Sequence, residues 1–144
     1  MVAMLQIDIV SAEAEIFSGK AQRIFVTGTL GELEITPGHT PLLTGLLPGP
    51  IRVRDAEGKE IVVYVTGGIL EVQPQVVTVL ADTVIRARDF NEAEAERAKE
   101  KAIEALKDRQ TSIDYARARA ELARAAGMLR AIREAKRKGA HFQE

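Results

Sequence analysis

Hydrophobic and polar residues change rhythm near residue 86. Before that point Leu5, Ile7 and Ile9 alternate with Gln6 and Asp8, a period of two that turns one face of a strand toward a core. Comparable runs cover 22–27, 32–36, 51–54, 60–66, 68–72 and 76–85. Asp55-Ala56-Glu57-Gly58-Lys59 reads as a hairpin loop in which Gly58 is free to take positive φ, and Gln73-Pro74-Gln75 as another turn. Seven or more short strands with turns this frequent predict a sandwich or flattened barrel. No segment among them is long enough for a helical crossover, so the sheets should be mainly antiparallel.

Residues 86–144 contain no proline, only Gly127 and Gly139, and fifteen alanines. Proline and glycine are costly inside helices, so this half reads as a helical hairpin. The predicted units are a β-sandwich over 1–86 and a helical tail over 87–144, with helices at about 91–108 and 112–138. Asn91 is the expected N-cap of the first helix, with Glu94 as its capping-box partner and Glu92, Glu94 and Glu96 at the positive end of the dipole. Ala98, Ala102, Ala105 and Leu106 form a weak apolar stripe. Asp108-Arg109-Gln110 leads to Thr111 or Ser112 as the next N-cap, with Asp114 in the first turn and a stop at Gly139.

The second helix shows two apolar faces. Ile113, Ala116, Ala120, Ala123, Gly127 and Ala131 line one; Ala118, Leu122, Ala125, Leu129 and Ile132 line the other. The small-residue face is expected against the first helix and the larger face against the β module. Arg119, Arg130, Arg133 and Arg137 flank them. An alanine seam buries little apolar area, so the hairpin should be able to open without melting either helix.

A hydrophobic fraction of 46% supports a real core. Net charge is −1 but uneven: residues 1–85 carry five Lys/Arg against ten Asp/Glu, the remainder fifteen against eleven. The tail is therefore expected to meet an acidic surface, its own module's or a partner's. Absence of cysteine excludes thiol chemistry and disulfides. The longest apolar stretch, 61–72, is too short to span a bilayer, and no basic region precedes an apolar run at the N-terminus, so no signal peptide is expected.

Candidate chemistry is sparse. Glu32 and Glu34 share a strand face but lack the pocket an acid–base pair needs. His39 and His141 have no ligand spacing around them, so no metal is expected. Ser11, Ser18 and Ser112 lack a nucleophile elbow, and Gly28 and Gly31 fit no phosphate-cradling pattern. The basic run from Arg124 to Lys138 could follow a phosphate backbone, but Glu121 and Glu134 break up the basic flank of the helix and aromatic residues are only 4%.

Four stretches carry a family resemblance: Val10-Ser11-Ala12-Glu13 with Ile16-Phe17-Ser18-Gly19; Gly31-Glu32-Leu33-Glu34-Ile35-Thr36-Pro37-Gly38-His39-Thr40-Pro41-Leu42-Leu43-Thr44; Gly67-Gly68-Ile69-Leu70-Glu71-Val72-Gln73-Pro74; and Val79-Leu80-Ala81-Asp82-Thr83. In this order, ahead of a two-helix tail, they resemble the ε subunits of F-type ATP synthases. The resemblance implies an antiparallel β-sandwich of about ten strands followed by a helical hairpin. It implies a non-catalytic rotor subunit that couples proton flow to ATP synthesis and restrains ATP hydrolysis through the tail. Implied partners are the γ subunit, the c-subunit ring and the α and β subunits of the catalytic head, with no nucleic acid and with membrane association only through the complex. Gly28, Gly31 and Glu32 would face the ring or γ, with His39 in the same neighbourhood. Arg119, Arg124, Arg130 and Arg133 would meet acidic surfaces of the head.

Some family members bind regulatory ATP through Ile/Leu-Asp-x-x-Arg-Ala at the start of the first tail helix. The matching positions here read Phe90-Asn91-Glu92-Ala93-Glu94-Ala95. Asn91 replaces the acid and Glu94 reverses the charge of the arginine, so no cofactor is expected. The intact string Ile113-Asp114-Tyr115-Ala116-Arg117-Ala118 opens the second helix instead and reads as a decoy. The expected location is the cytoplasmic face of a bacterial plasma membrane. The competing reading is a free-standing sandwich module whose basic helix binds nucleic acid or an acidic protein.

Overall fold

The structure, a computed structural model, describes residues 3–107 and 112–137. Ten strands come first: β1 (Leu5–Ser11), β2 (Glu15–Ala21), β3 (Arg23–Gly28), β4 (Gly31–Ile35), β5 (Leu42–Leu46), β6 (Gly49–Arg54), β7 (Glu60–Val65), β8 (Gly68–Val72), β9 (Val76–Ala81) and β10 (Val84–Arg86). A 3-10 turn at Ala87–Asp89 leads into α1 (Glu92–Lys107) and α2 (Ser112–Arg137). The expected turn through Asp108 and Thr111, the stop at Gly139 and His141 lie outside the described residues.

The strands follow one hydrogen-bonded path, β10-β7-β6-β3-β5-β8-β9-β1-β2, with β4 added on β3. The link between β3 and β5 is a single residue pair, Gly28 with Leu46. Two layers, β4-β3-β6-β7-β10 and β5-β8-β9-β1-β2, meet at that joint and close over the core. All pairings are antiparallel except β1 with β9. Alternation in β1 and β6 does what its period requires: Leu5, Ile7, Ile9, Ile51 and Val53 are buried while their neighbours are not. With Ile24, Ile35, Leu70, Val72, Val77 and Val79 they form a dry aliphatic core built wholly from strand residues.

The β6–β7 turn matches its sequence. Gly58 has φ +85°, and the Asp55 carboxylate accepts the backbone N–H groups of Glu57 and Lys59 at 3.0 and 2.9 Å. At the other end, the Asn91 side-chain oxygen accepts the Glu94 N–H at 3.0 Å and starts α1 as its N-cap.

The helices stack as successive layers. α2 rests on β6 and β7, and α1 packs on α2. The orientation of α2 is the reverse of the sequence expectation. Gly127 of the small-residue face lies on the Pro48–Gly49 backbone, whereas Ala118, Leu129 and Ile132 line clefts shared with α1. The protruding Pro48 carbonyl admits only a residue without a side chain, and the alanines of α1 leave room for leucine and isoleucine. Ala116, Ala120 and Ala123 of the small-residue face remain exposed.

Candidate functional site

β7 breaks the alternation of its neighbours because it is covered on both faces. Val63 and Val65 enter the core, while Glu60, Val62 and Tyr64 are buried on the outer side beneath the tail. The Tyr64 hydroxyl donates to the Arg124 carbonyl in mid-helix at 2.8 Å. Burial pushes this phenol up to about 12, against some lowering by Arg124 and Arg130 nearby. Arg130 donates to the Pro48 carbonyl at 3.0 Å and pairs with Glu32 at 3.4 Å. A second ion pair runs the other way, from Arg52 of the sheet to Glu134 of the tail at 3.6 Å.

Beneath the tail lies a charge network. Glu60, only 5% exposed, pairs with Arg54 at 2.8 Å and Arg52 at 3.4 Å. Both guanidinium groups sit over the Phe25 ring, at 4.1 Å for Arg52 and 5.4 Å for Arg54. A polar cleft lined by Phe25, Glu32, Arg52, Arg130, Arg133 and Glu134 runs along the seam between sheet and tail. None of these groups forms an acid–base or nucleophile pair; what the arrangement does is hold a helix on a sheet. Among the described residues no cluster of His, Asp or Glu is placed to hold a metal, and no helix is long and apolar enough to cross a membrane.

This architecture coincides with a known domain pair. The beta-sandwich domain of the ATP synthase delta/epsilon chain matches residues 4–87, and the long alpha-helix domain of the same chain matches residues 88–133. The chain belongs to the ATP synthase delta/epsilon chain family. Its relatives include the ATP synthase epsilon chain of Chromohalobacter salexigens, 55% identical over 95% of this chain and 97% of that one. The epsilon chain of Nitrosococcus oceani is 54% identical over 96% and 99%. Among solved structures, a chain of the Euglena gracilis mitochondrial ATP synthase superposes with a TM-score of 0.81 at 17% identity, covering 88% of this chain and 80% of that one. A chain from the central stalk and c-ring of the Tetrahymena thermophila enzyme gives 0.65 at 15%, covering 89% and 96%.

The structure divides the positions that the resemblance to ATP synthase ε subunits brought forward. Gly28 lies at the joint between the layers, where an added Cβ would stand 3.1 Å from the Gly31 carbonyl oxygen, and Gly31 turns the β3–β4 hairpin with φ +135°. Glu32 follows it and faces the tail, accepting from the Thr27 hydroxyl at 3.3 Å as well as pairing with Arg130. His39 is not in that neighbourhood. Its loop bonds to the β8–β9 turn through Gly38 N–H and the Pro74 carbonyl, at the opposite end of β8, about 15 Å of strand away.

Of the four tail arginines only Arg130 bonds to the sandwich through its side chain; Arg124 does so through its backbone carbonyl. Arg133 lines the same cleft, Arg124 pairs with Glu121 at 2.8 Å, and Arg119 lies 6.0 Å from the Tyr115 ring. Asn91 spends its carboxamide oxygen on the helix cap. Asp114 and Arg117 of the decoy string are exposed in the first turns of α2, beside Ala102 and Ala105 of α1.

Sequence reading missed Arg52, Arg54, Glu60 and Tyr64. One signal for them existed: Arg54 and Glu60 flank the hairpin loop and are therefore cross-strand partners. It also missed an apolar surface on the far layer, where Leu43, Ile69 and Leu80 of β5, β8 and β9 are 72%, 49% and 54% exposed.

Proposed function

We propose that this chain is a non-catalytic rotor subunit of a proton-translocating F-type ATP synthase, with a sandwich that clamps the stalk and a tail that restrains ATP hydrolysis. The observation that carries the reading is the separability of the two units. The aliphatic core is complete within the strands, while the tail is attached chiefly through α2, by small residues and a few polar contacts. Clamp and switch are thus built from different interactions. The exposed Leu43–Ile69–Leu80 surface lies on the layer opposite the tail, so γ can cover it whether the tail is folded or not.

The Gly28–Glu32 hairpin is the c-ring-facing end, and His39, at the opposite end, would meet a different part of the stalk. Arg119, Arg124, Arg130 and Arg133 serve as contacts with the acidic surface of the catalytic head when the tail extends. With Asn91 engaged as a cap and Glu94 reversing the required charge, the switch works without regulatory ATP. Membership in the family, with relatives from Chromohalobacter and Nitrosococcus, supports the cytoplasmic face of a bacterial plasma membrane as its place.

The test is ATP hydrolysis by a γ-containing catalytic head, alone, with the full chain, and with a chain ending at Asp89. Both chains are expected to bind, and only the full one to inhibit. Binding by both with inhibition by neither would leave a clamp without a switch, and binding by neither would remove the stalk assignment.

A further inference from the structure

Glycine is a poor helix former, yet Gly127 stands well inside the 26 residues of α2. Its reason lies across the interface. A Cβ at position 127 would lie 2.6 Å from the Pro48 carbonyl oxygen, 2.7 Å from its carbon and 3.0 Å from the Gly49 nitrogen. All three are backbone atoms at the entry to β6, with no rotamer by which to move aside. About one helical turn onward, Arg130 donates to that same Pro48 oxygen at 3.0 Å. Gly49 completes the fit, since a Cβ there would lie 2.7 Å from the Arg130 guanidinium.

We propose that Gly127 and Arg130 clasp the Pro48 carbonyl and thereby set how much of the tail is folded against the sandwich. The inference rests on the reading of the tail as a mobile inhibitor and identifies the contact that holds its folded state. Arg130 acts on both sides of the equilibrium. In the folded tail its guanidinium is engaged by Pro48 and Glu32, and it is withheld from any acidic partner until the clasp opens. Gly127 acts on the folded side alone. Alanine there blocks the approach to β6, while its higher helix propensity favours α2 equally in both states, so the substitution shifts the balance through the clasp.

The chain has no cysteine, so cysteines introduced at the exposed positions Glu57 and Ala123 can carry spin labels in the 144-residue chain. The unaltered sequence is expected to give one dominant distance. Gly127→Ala should lower the ratio of that distance to all others on the order of tenfold, because overpacking against backbone has no cheap relaxation. Gly49→Ala should do less, since it meets the end of a flexible side chain. Arg130→Met, which keeps an apolar stem and removes the donors, should also lower the share. Unchanged distances in Gly127→Ala and Arg130→Met overturn the clasp, whatever happens to inhibition.

Added to the γ-containing head, the Gly127→Ala chain is expected to inhibit at about tenfold lower concentration, matching the population shift. Shifted distances with unaltered inhibition keep the clasp and overturn the inhibitory reading of the tail, so the two can fail separately.

Discussion

Tyr64 shows how a single side chain can dock a helix without leaving an orphan behind. The Arg124 carbonyl it bonds to sits in the interior of α2, where a backbone N–H is already available to it, and the phenol adds a second donor. Tyr64→Phe should therefore cost only about 1 kcal/mol of docking, seen as a modest rise in extended tail by the same distance measurement. The titration has a definite sign. Burial raises the phenol from 10.0 to about 12, so the neutral form is favoured in the docked state. Its contribution is complete below pH 10.0 and is lost as pH climbs toward about 12. Phenolate absorbance should follow that rise, and the Tyr64→Phe chain should lack this part of the pH dependence. None of this was legible beforehand: Tyr64 stands 60 positions from Arg124, and strand periodicity gives its side but not what covers that side.

Among the elements, those with clean patterns were readable and those with irregular ones were not. β1 and β6 announce themselves by alternation, and Asn91 by its place before an acidic first turn. Asn91→Ala removes the side-chain acceptor of the Glu94 N–H and should destabilise α1 by about 1 kcal/mol. Hydrogen exchange would detect it as faster exchange confined to the first turn, with the sandwich unaffected. β2 was missed because Glu15–Ala21 has no regular burial rhythm and pairs only with β1. β5 was missed because Leu42–Leu46 sits among prolines and glycines and buries only Leu46 fully. Asp82 and Thr83 interrupt the long run that read as one strand and divide it into β9 and β10. The two faces of α2 were both visible, but their assignment depended on the shape of the Pro48 turn, which no helical periodicity contains.

At the scale of the whole molecule, uneven charge suggested that a basic tail would find an acidic sheet. The observed contacts are mixed in sign: Arg130 to Glu32 in one direction, Arg52 to Glu134 in the other. The exposed Arg130–Glu32 pair is worth about 0–1 kcal/mol and weakens with salt, and the Coulomb gain of the more covered Arg52–Glu134 pair is offset by desolvation, so charge alone does not hold the folded tail. The surplus of arginines on α2 is free to serve the extended state. Replacing Arg119, Arg130 and Arg133 together by alanine should relieve inhibition of hydrolysis while the chain still binds γ, even though loss of Arg130 also loosens the folded tail. Inhibition undiminished by the triple substitution would mean that basic contacts do not hold the extended state.

The layering of sandwich, α2 and α1 also couples the departure of the two helices. α1 packs on α2 and follows β10 and the 3-10 turn in the chain, so with α2 seated on β6 and β7 it is held at both ends. Once α2 lifts, α1 has no extended seat on the sandwich to keep it there. The two helices therefore leave together, and a partner that captures α2 takes α1 with it.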